Sequence, residues 1–115
     1  MRAHVLALIL SLVALPALAE TIAPNEAKNH IGQSLTVEGV VSEVHHAASG
    51  KAIFLDIGGH YPDQQFTAII FAGDFDKFPK MDSLEGKTVD ITGTVKRHQG
   101  QAEIVLTDPT QVRAK

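Results

Sequence analysis

Val89, Ile91 and Val95 share one parity along the stretch from Gly86 to Leu106, with small or polar residues between them. That alternation is the pattern of a strand with one face buried and one face wet. Gly93 stands where the alternation asks for another apolar residue, and a glycine inside a strand marks a bulge or a sharp bend at a barrel corner. His98-Gln99-Gly100-Gln101 predicts a short polar turn, from which Ala102 to Leu106 returns as a hairpin strand. The pattern occurs once before: Leu35, Val37 and Val41 share one parity, with Gly39 in the place of Gly93. Two strands each bent at an interior glycine are what a small sheet needs to close on itself.

The remaining segments fill in around these two. Asn25 to Gly32 predicts one or two helical turns, capped by Asn25 and stopped by Gly32, with Ala27 and Ile31 packing on the barrel as a plug. The first strand is expected from Leu35 to His46. Val40, Val41 and Val44 cannot all face one way, so a bulge is expected after Gly39. Ala52 to Ile57 forms the second strand, with Ile53, Leu55 and Ile57 on one face and Ala52, Phe54 and Asp56 on the other. Gly58 to Asp63 is rich in turn residues. Gln65 to Phe71 forms a third strand that is apolar on both faces, which calls for cover from the segment Gly73 to Leu84. Asp74-Phe75-Asp76-Lys77-Phe78 suggests a short amphipathic helix ended by Pro79. The C-terminus is expected to be an extended piece through Val112 and a loose tail at 113–115. Strand, strand, strand, short helix, strand, strand is the chain order of an all-β OB-fold, a five-stranded Greek-key barrel.

Composition narrows the class. Residues 1–19 read as a secretory signal peptide: a basic start at Arg2, an apolar run from Val5 to Leu15, Pro16, and Ala17-Leu18-Ala19 before Glu20. The expected division is therefore a signal peptide at 1–19, a leader with a short N-terminal helix at 20–34, the OB-fold domain at 35–112 and the tail. Export to a periplasm or to the outside follows from it, with no membrane association after cleavage. The chain has no cysteine, which removes thiol catalysis, disulfides and thiolate metal sites. Without Arg2 the acidic residues outnumber the basic ones by four. A dedicated non-specific DNA binder is usually basic.

The chain resembles the nucleic-acid-binding OB-fold domains of the tRNA-anticodon-binding-like group, and within it the small exported bacterial members. The resemblance rests on Glu26-Ala27-Lys28, Val37-Glu38-Gly39-Val40-Val41, Phe54-Leu55-Asp56-Ile57-Gly58-Gly59, Tyr61-Pro62, Ile69-Ile70-Phe71, Ile91-Thr92-Gly93, Glu103-Ile104-Val105-Leu106 and Asp108-Pro109. It covers nearly all of the chain after the leader. Ala102 departs from it where proline is expected, and an aromatic expected near His98 is absent. The resemblance implies binding of single-stranded nucleic acid, or of an oligosaccharide, on the face of the second and third strands. Such sites pair a positive groove with aromatics on which bases stack. Phe54 and Tyr61 are the candidate stacking residues. Lys51, Lys96, Arg97 and His98 are the candidate phosphate contacts, with His45, His46 and His98 expected to add charge at acidic pH.

Two other classes stand beside this one. Five histidines follow the leader, namely His30, His45, His46, His60 and His98, and histidine is the commonest metal ligand. In an OB-fold, however, His45 and His46 are expected at one end of the barrel and His60 and His98 at the other, so no metal or other cofactor is expected. No nucleophile–base spacing or phosphate-cradling loop points to an enzyme. A protein-interaction or stress-tolerance module binding a protein or small ligand through the apolar third strand is the alternative function. The oligomeric state is open.

Overall fold

The computed structural model describes residues 20–115. The expected signal peptide at 1–19 lies outside the described residues. The strands are β1 (Thr21–Ile22), β2 (Ser34–His46), β3 (Ala52–Ile57), β4 (Phe66–Phe71), β5 (Thr88–Thr94), β6 (Lys96–His98), β7 (Gln101–Val105) and β8 (Val112–Ala114). They form one sheet in the order β6-β7-β4-β3-β2-β5-β8, with β1 parallel to β2. The meander β2-β3-β4 is antiparallel, and β4 pairs with β7 in parallel. β5 and β6 are one stretch of chain broken at Val95: β5 pairs with β2, and β6 pairs with β7. The same segment thus reaches both sides of the sheet and curls it into a barrel. This is the all-β OB-fold that the alternation predicts.

Apolar parity drives the curl. Leu35, Val37, Val41, Leu55, Ile57, Phe66, Ile70, Val89, Ile91, Val95, Ile104 and Leu106 are fully buried inside the barrel. Each large side chain contributes about 1.5–3 kcal/mol on burial. The expected bulge is present, with the β2–β3 register slipping between Val41 and Glu43. It turns both Val41 and Val44 toward the core, and Val40 is left exposed. Gly39 and Gly93 permit close approach. A Cβ on Gly39 would stand 2.6 Å from Pro24 Cγ and 2.7 Å from Ile57 Cγ2, and one on Gly93 would stand 2.7 Å from Ile104 Cγ2.

The helical expectations need correcting. The N-terminal element is a 3-10 turn, Pro24–Asn29, that begins at Pro24 without a side-chain cap. Ala27 plugs the barrel end at zero exposure, but Ile31 is exposed. The turn has ended by Asn29, so Ile31 does not follow Ala27 around a helix. The single helix expected between the third and fourth strands is two 3-10 turns, Ala72–Lys77 and Met81–Leu84. Pro79 separates them, as does Lys80, which adopts a left-handed conformation (φ 64°). Their Phe78 and Leu84 enter the core, instead of covering the outer face of β4.

The C-terminus is not loose. Pro109–Gln111 forms a capped 3-10 turn, and Val112–Ala114 pairs antiparallel with β5 as an edge strand. Lys115 Nζ then lies 2.6 Å from Glu38 Oε2 and 3.8 Å from Asp90 Oδ2.

Candidate ligand face

Alternation turns every second residue of β3 and β4 out of the barrel, and register lines them up with their neighbours. One row reads His45, Phe54, Ile69, Val105 across β2, β3, β4 and β7. The next reads Glu43, Asp56, Thr67, Glu103, Lys96, ending on β6. Adjacent strands lie about 4.8 Å apart, so side chains along a row touch.

The first row carries an aromatic cluster. The His45 ring stacks on Phe54 with centroids 4.8 Å apart and planes 20° from parallel. Tyr61 stands beside them, its ring 6.1 Å from that of His45 and tilted by 59°. Phe54 is half-buried and Tyr61 is 68 % exposed.

Tyr61 arrives there because the loop after β3 folds back over the face. Gly58 and Gly59 take positive φ values of 74° and 129°, conformations that glycine adopts without strain. The Gly59 amide donates to Ser42 Oγ at 2.9 Å, so the bulge residue of β2 pins the loop. His60 Nδ1 lies 3.3 Å from Glu43 Oε2. This overturns the expected separation of His60 from His45: a chain reversal immediately after β3 returns His60 to the same face. His46, on the opposite parity, instead meets Asp82 at 2.9 Å.

The second row is acidic. Asp56 is fully buried. Its Oδ2 lies 3.1 Å from His45 Nδ1, and its Oδ1 has no partner. Burial pushes the Asp56 carboxyl above the usual carboxylate range, and the facing His45 opposes that shift. Burial likewise raises Glu103, against the pull of His98 and Lys96. Asp56, which strand alternation turns outward on β3, shares its row with two further acids, Glu43 on β2 and Glu103 on β7. Among the described residues, no three His, Asp or Glu side chains are arranged to hold a metal ion.

The structure brings together Phe54 and Tyr61 and adds His45. Lys51 is exposed in the turn before β3, next to the Ala52–Phe71 pair at one end of the face. Lys96 and His98 share the outward parity on β6, three strands away from β3. Arg97 pairs with Ala102, a core residue, and so sits on the opposite parity from Lys96 and His98. The basic residues thus flank the face instead of forming one groove. The sequence reading gave Glu43 and Glu103 no role, and gave His45 only added charge at acidic pH. Their parity was readable, but only the strand register sets them beside Phe54 and Asp56.

No family model matches the chain, and no curated protein matches it. Solved structures do. A putative aspartyl-tRNA synthetase from Leishmania major Friedlin superposes with TM-score 0.56 at 16% identity, over 89% of this chain and 22% of that one. The aspartyl-tRNA synthetase from Entamoeba histolytica gives 0.58 at 18% identity, over 91% and 23%. OBody AM1L10, solved bound to hen egg-white lysozyme, gives 0.60 at 19% identity, over 84% and 93%. The chain spans less than a quarter of either synthetase and most of the length of the OBody. At these identities the likeness is one of fold, and it agrees with the strand order: the class is the OB-fold.

Proposed function

We infer that the chain is a non-catalytic OB-fold binding module that takes single-stranded nucleic acid on the outer face of β3 and β4. The observation that carries this reading is the cluster of His45, Phe54 and Tyr61, a stacked pair with an exposed aromatic beside it. Aromatic platforms of this kind hold successive bases at about 1–3 kcal/mol each. Lys51 at one end and Lys96 and His98 at the far edge meet phosphates, while Arg97, on the opposite parity, does not face the ligand. Glu43 and Glu103 accept hydrogen bonds from base amino groups. The names of the two similar synthetases include tRNA, which fits a nucleic-acid ligand. The proposal includes export, on the strength of the leader-like residues 1–19.

The test is fluorescence anisotropy with a labelled mixed-sequence single-stranded DNA, at low and at physiological salt. Micromolar or tighter binding that weakens with salt, and weakens again in Phe54→Ala, supports the stacking face. No binding at low salt, where attraction to phosphate is strongest, rejects it.

A protein partner is the second reading. The acidic row Glu43–Asp56–Glu103 favours it, as does the similar OBody solved in complex with lysozyme. Binding to such a partner would survive Phe54→Ala in a nucleic-acid-free assay, and a cationic partner would be lost with Glu43→Gln.

A further inference from the structure

A cleft opens at the end of the barrel, between the Pro24–Asn29 turn, the chain entering β4 and the β6–β7 turn. Its volume is about 230 Å³, and its walls include Asn25, Lys28, Gln64, Gln65 and Gln101. Sites for whole drug-sized ligands run to about 300–1,000 Å³, so this one suits a single ring and its substituents.

Gln64 is the informative residue. It is only 8% exposed. Its Nε2 donates to Thr67 Oγ1 at 3.3 Å, and its Oε1 has no partner. Turning the amide over would set the oxygen against the Thr67 hydroxyl and leave the nitrogen unpaired instead. In either orientation, one end of a buried carboxamide lacks a hydrogen bond that buried polar groups normally make. Two of its residues adjoin the acidic row of the outer face, Gln64 through its bond to Thr67 and Gln101 through β7. Thr67 lies between Asp56 and Glu103 in register, and Gln101 is two residues from Glu103 on the same parity of β7.

The lining discriminates between bases. Guanine is best read by arginine or lysine on its two acceptors, cytosine by a carboxylate on its amino group, and thymine by apolar contact with its methyl group. Among the described residues that line this cleft there is no carboxylate and no arginine, and the one lysine, Lys28, and the one apolar side chain, Ala102, are outnumbered by four carboxamides. Asparagine and glutamine match adenine, pairing at once with its N6 amino group and its N7. Resting on the nucleic-acid reading above, the geometry points to this cleft as an adenine subsite. Gln64 and Gln101 read the base edge, and Lys28 meets the phosphate of the same nucleotide. A strand stacked on Phe54 and Tyr61 would run down the face into it.

The test compares oligo(dA), oligo(dC) and oligo(dT) on the chain from Glu20 to Lys115, which carries the whole barrel. Oligo(dA) is expected to bind about tenfold more tightly than the other two, the scale of one good bidentate contact. Gln64→Leu and Gln101→Leu should each bring oligo(dA) down to the level of oligo(dT), while Phe54→Ala weakens all three alike. Urea unfolding checks that each variant is folded. If Gln64→Leu is not, Gln101→Leu and Asn25→Ala decide the matter. Equal affinities in the parent, or an oligo(dA) preference that survives these substitutions, would overturn the adenine subsite and leave the stacking face standing. No binding of any of the three would overturn both.

Discussion

Gln111 holds Thr92 across the open seam of the barrel: its Nε2 donates to the Thr92 carbonyl at 3.0 Å. The same nitrogen donates to the Val105 carbonyl at 3.1 Å. Its Oε1 accepts from the amides of Thr107 and Asp108 at 2.8 and 3.0 Å. β5 and β7 are not neighbours in the strand order, so one side-chain amide stands in for the missing ladder. Gln111 is placed to do this by the Asp108 cap, whose carboxylate accepts from the Thr110 amide. The Thr110 amide and hydroxyl, both donating to Asp108 Oδ1, hold that carboxyl below the usual carboxylate range.

Replacing Gln111 with Ala would strand two carbonyls and two amides at the seam. A part-buried group left unpaired costs about 1–3 kcal/mol, and solvent at the seam relieves some of it. A loss of about 2–3 kcal/mol in urea unfolding is expected. Gln111→Glu keeps the acceptors and loses both donors, so it should be destabilised as well. A change within experimental error in both variants would show that the seam is held by packing alone.

Gly39 and Gly93 can be tested against Gly73. A Cβ at Gly39 or Gly93 would come within 2.7 Å of a neighbouring side-chain carbon, whereas one at Gly73 would meet nothing within 4 Å. Gly39→Ala and Gly93→Ala should each cost about 1–3 kcal/mol through overpacking. Gly73→Ala should be neutral or slightly stabilising, because it restricts only the unfolded chain. Equal melting temperatures across the three variants would contradict the close approach of β2 to Pro24 and of β5 to β7.

Asp56 should make stability depend on pH in a definite direction. Its folded-state pKa is raised by burial, so between the unfolded and folded values the native state binds more protons. Stability therefore falls as pH rises through that window, and the penalty is complete above the folded value. Asp56→Asn removes the charge and keeps an acceptor for His45. The variant should melt higher than the parent at neutral pH, and the two should converge below the ordinary carboxylate pKa. A constant difference across the whole pH range would mean that the gain does not come from ionisation.

Asp56, together with Glu103, should also tune binding. Asp56 and Glu103 are both raised by burial, so acidification removes negative charge from the face early. Affinity for a single-stranded oligonucleotide should rise as pH falls toward the ordinary carboxylate range, and the rise should begin above it. The rise should shrink in the Asp56→Asn, Glu103→Gln double variant. A flat profile at low salt would show that neither acid faces the ligand.

Much of the barrel was readable from alternation. The parities of Val89, Ile91 and Val95, and of Ile53, Leu55 and Ile57, matched the core because a strand's side-chain period is set within the strand itself. The bulge near Val41 was forced by three valines that one parity could not bury. The hairpin at Gln99-Gly100 followed from turn chemistry, and both residues take positive φ, 50° and 78°. The short helices were less readable. A few polar residues around Ala27 or Phe75 fit a 3-10 turn as well as an α-helix, and the packing of Ala27 and Phe78 against the barrel decided between them.

What this sequence determined alone was therefore local: which segments are strands, which way their side chains face, where the chain bends, and that Phe54 points out of the barrel. Tertiary structure decided everything that depends on which strands meet and in what register. It set Glu43 beside Asp56 and Glu103 beyond Thr67, and returned His60 and Tyr61 to His45. It also sent the Gln111 amide into a seam between strands whose nearest bonded residues, Thr92 and Val105, lie 19 and 6 positions away in the chain. Parity is enforced by bonds within one strand. Register and closure are enforced by the shared core, which no single segment contains.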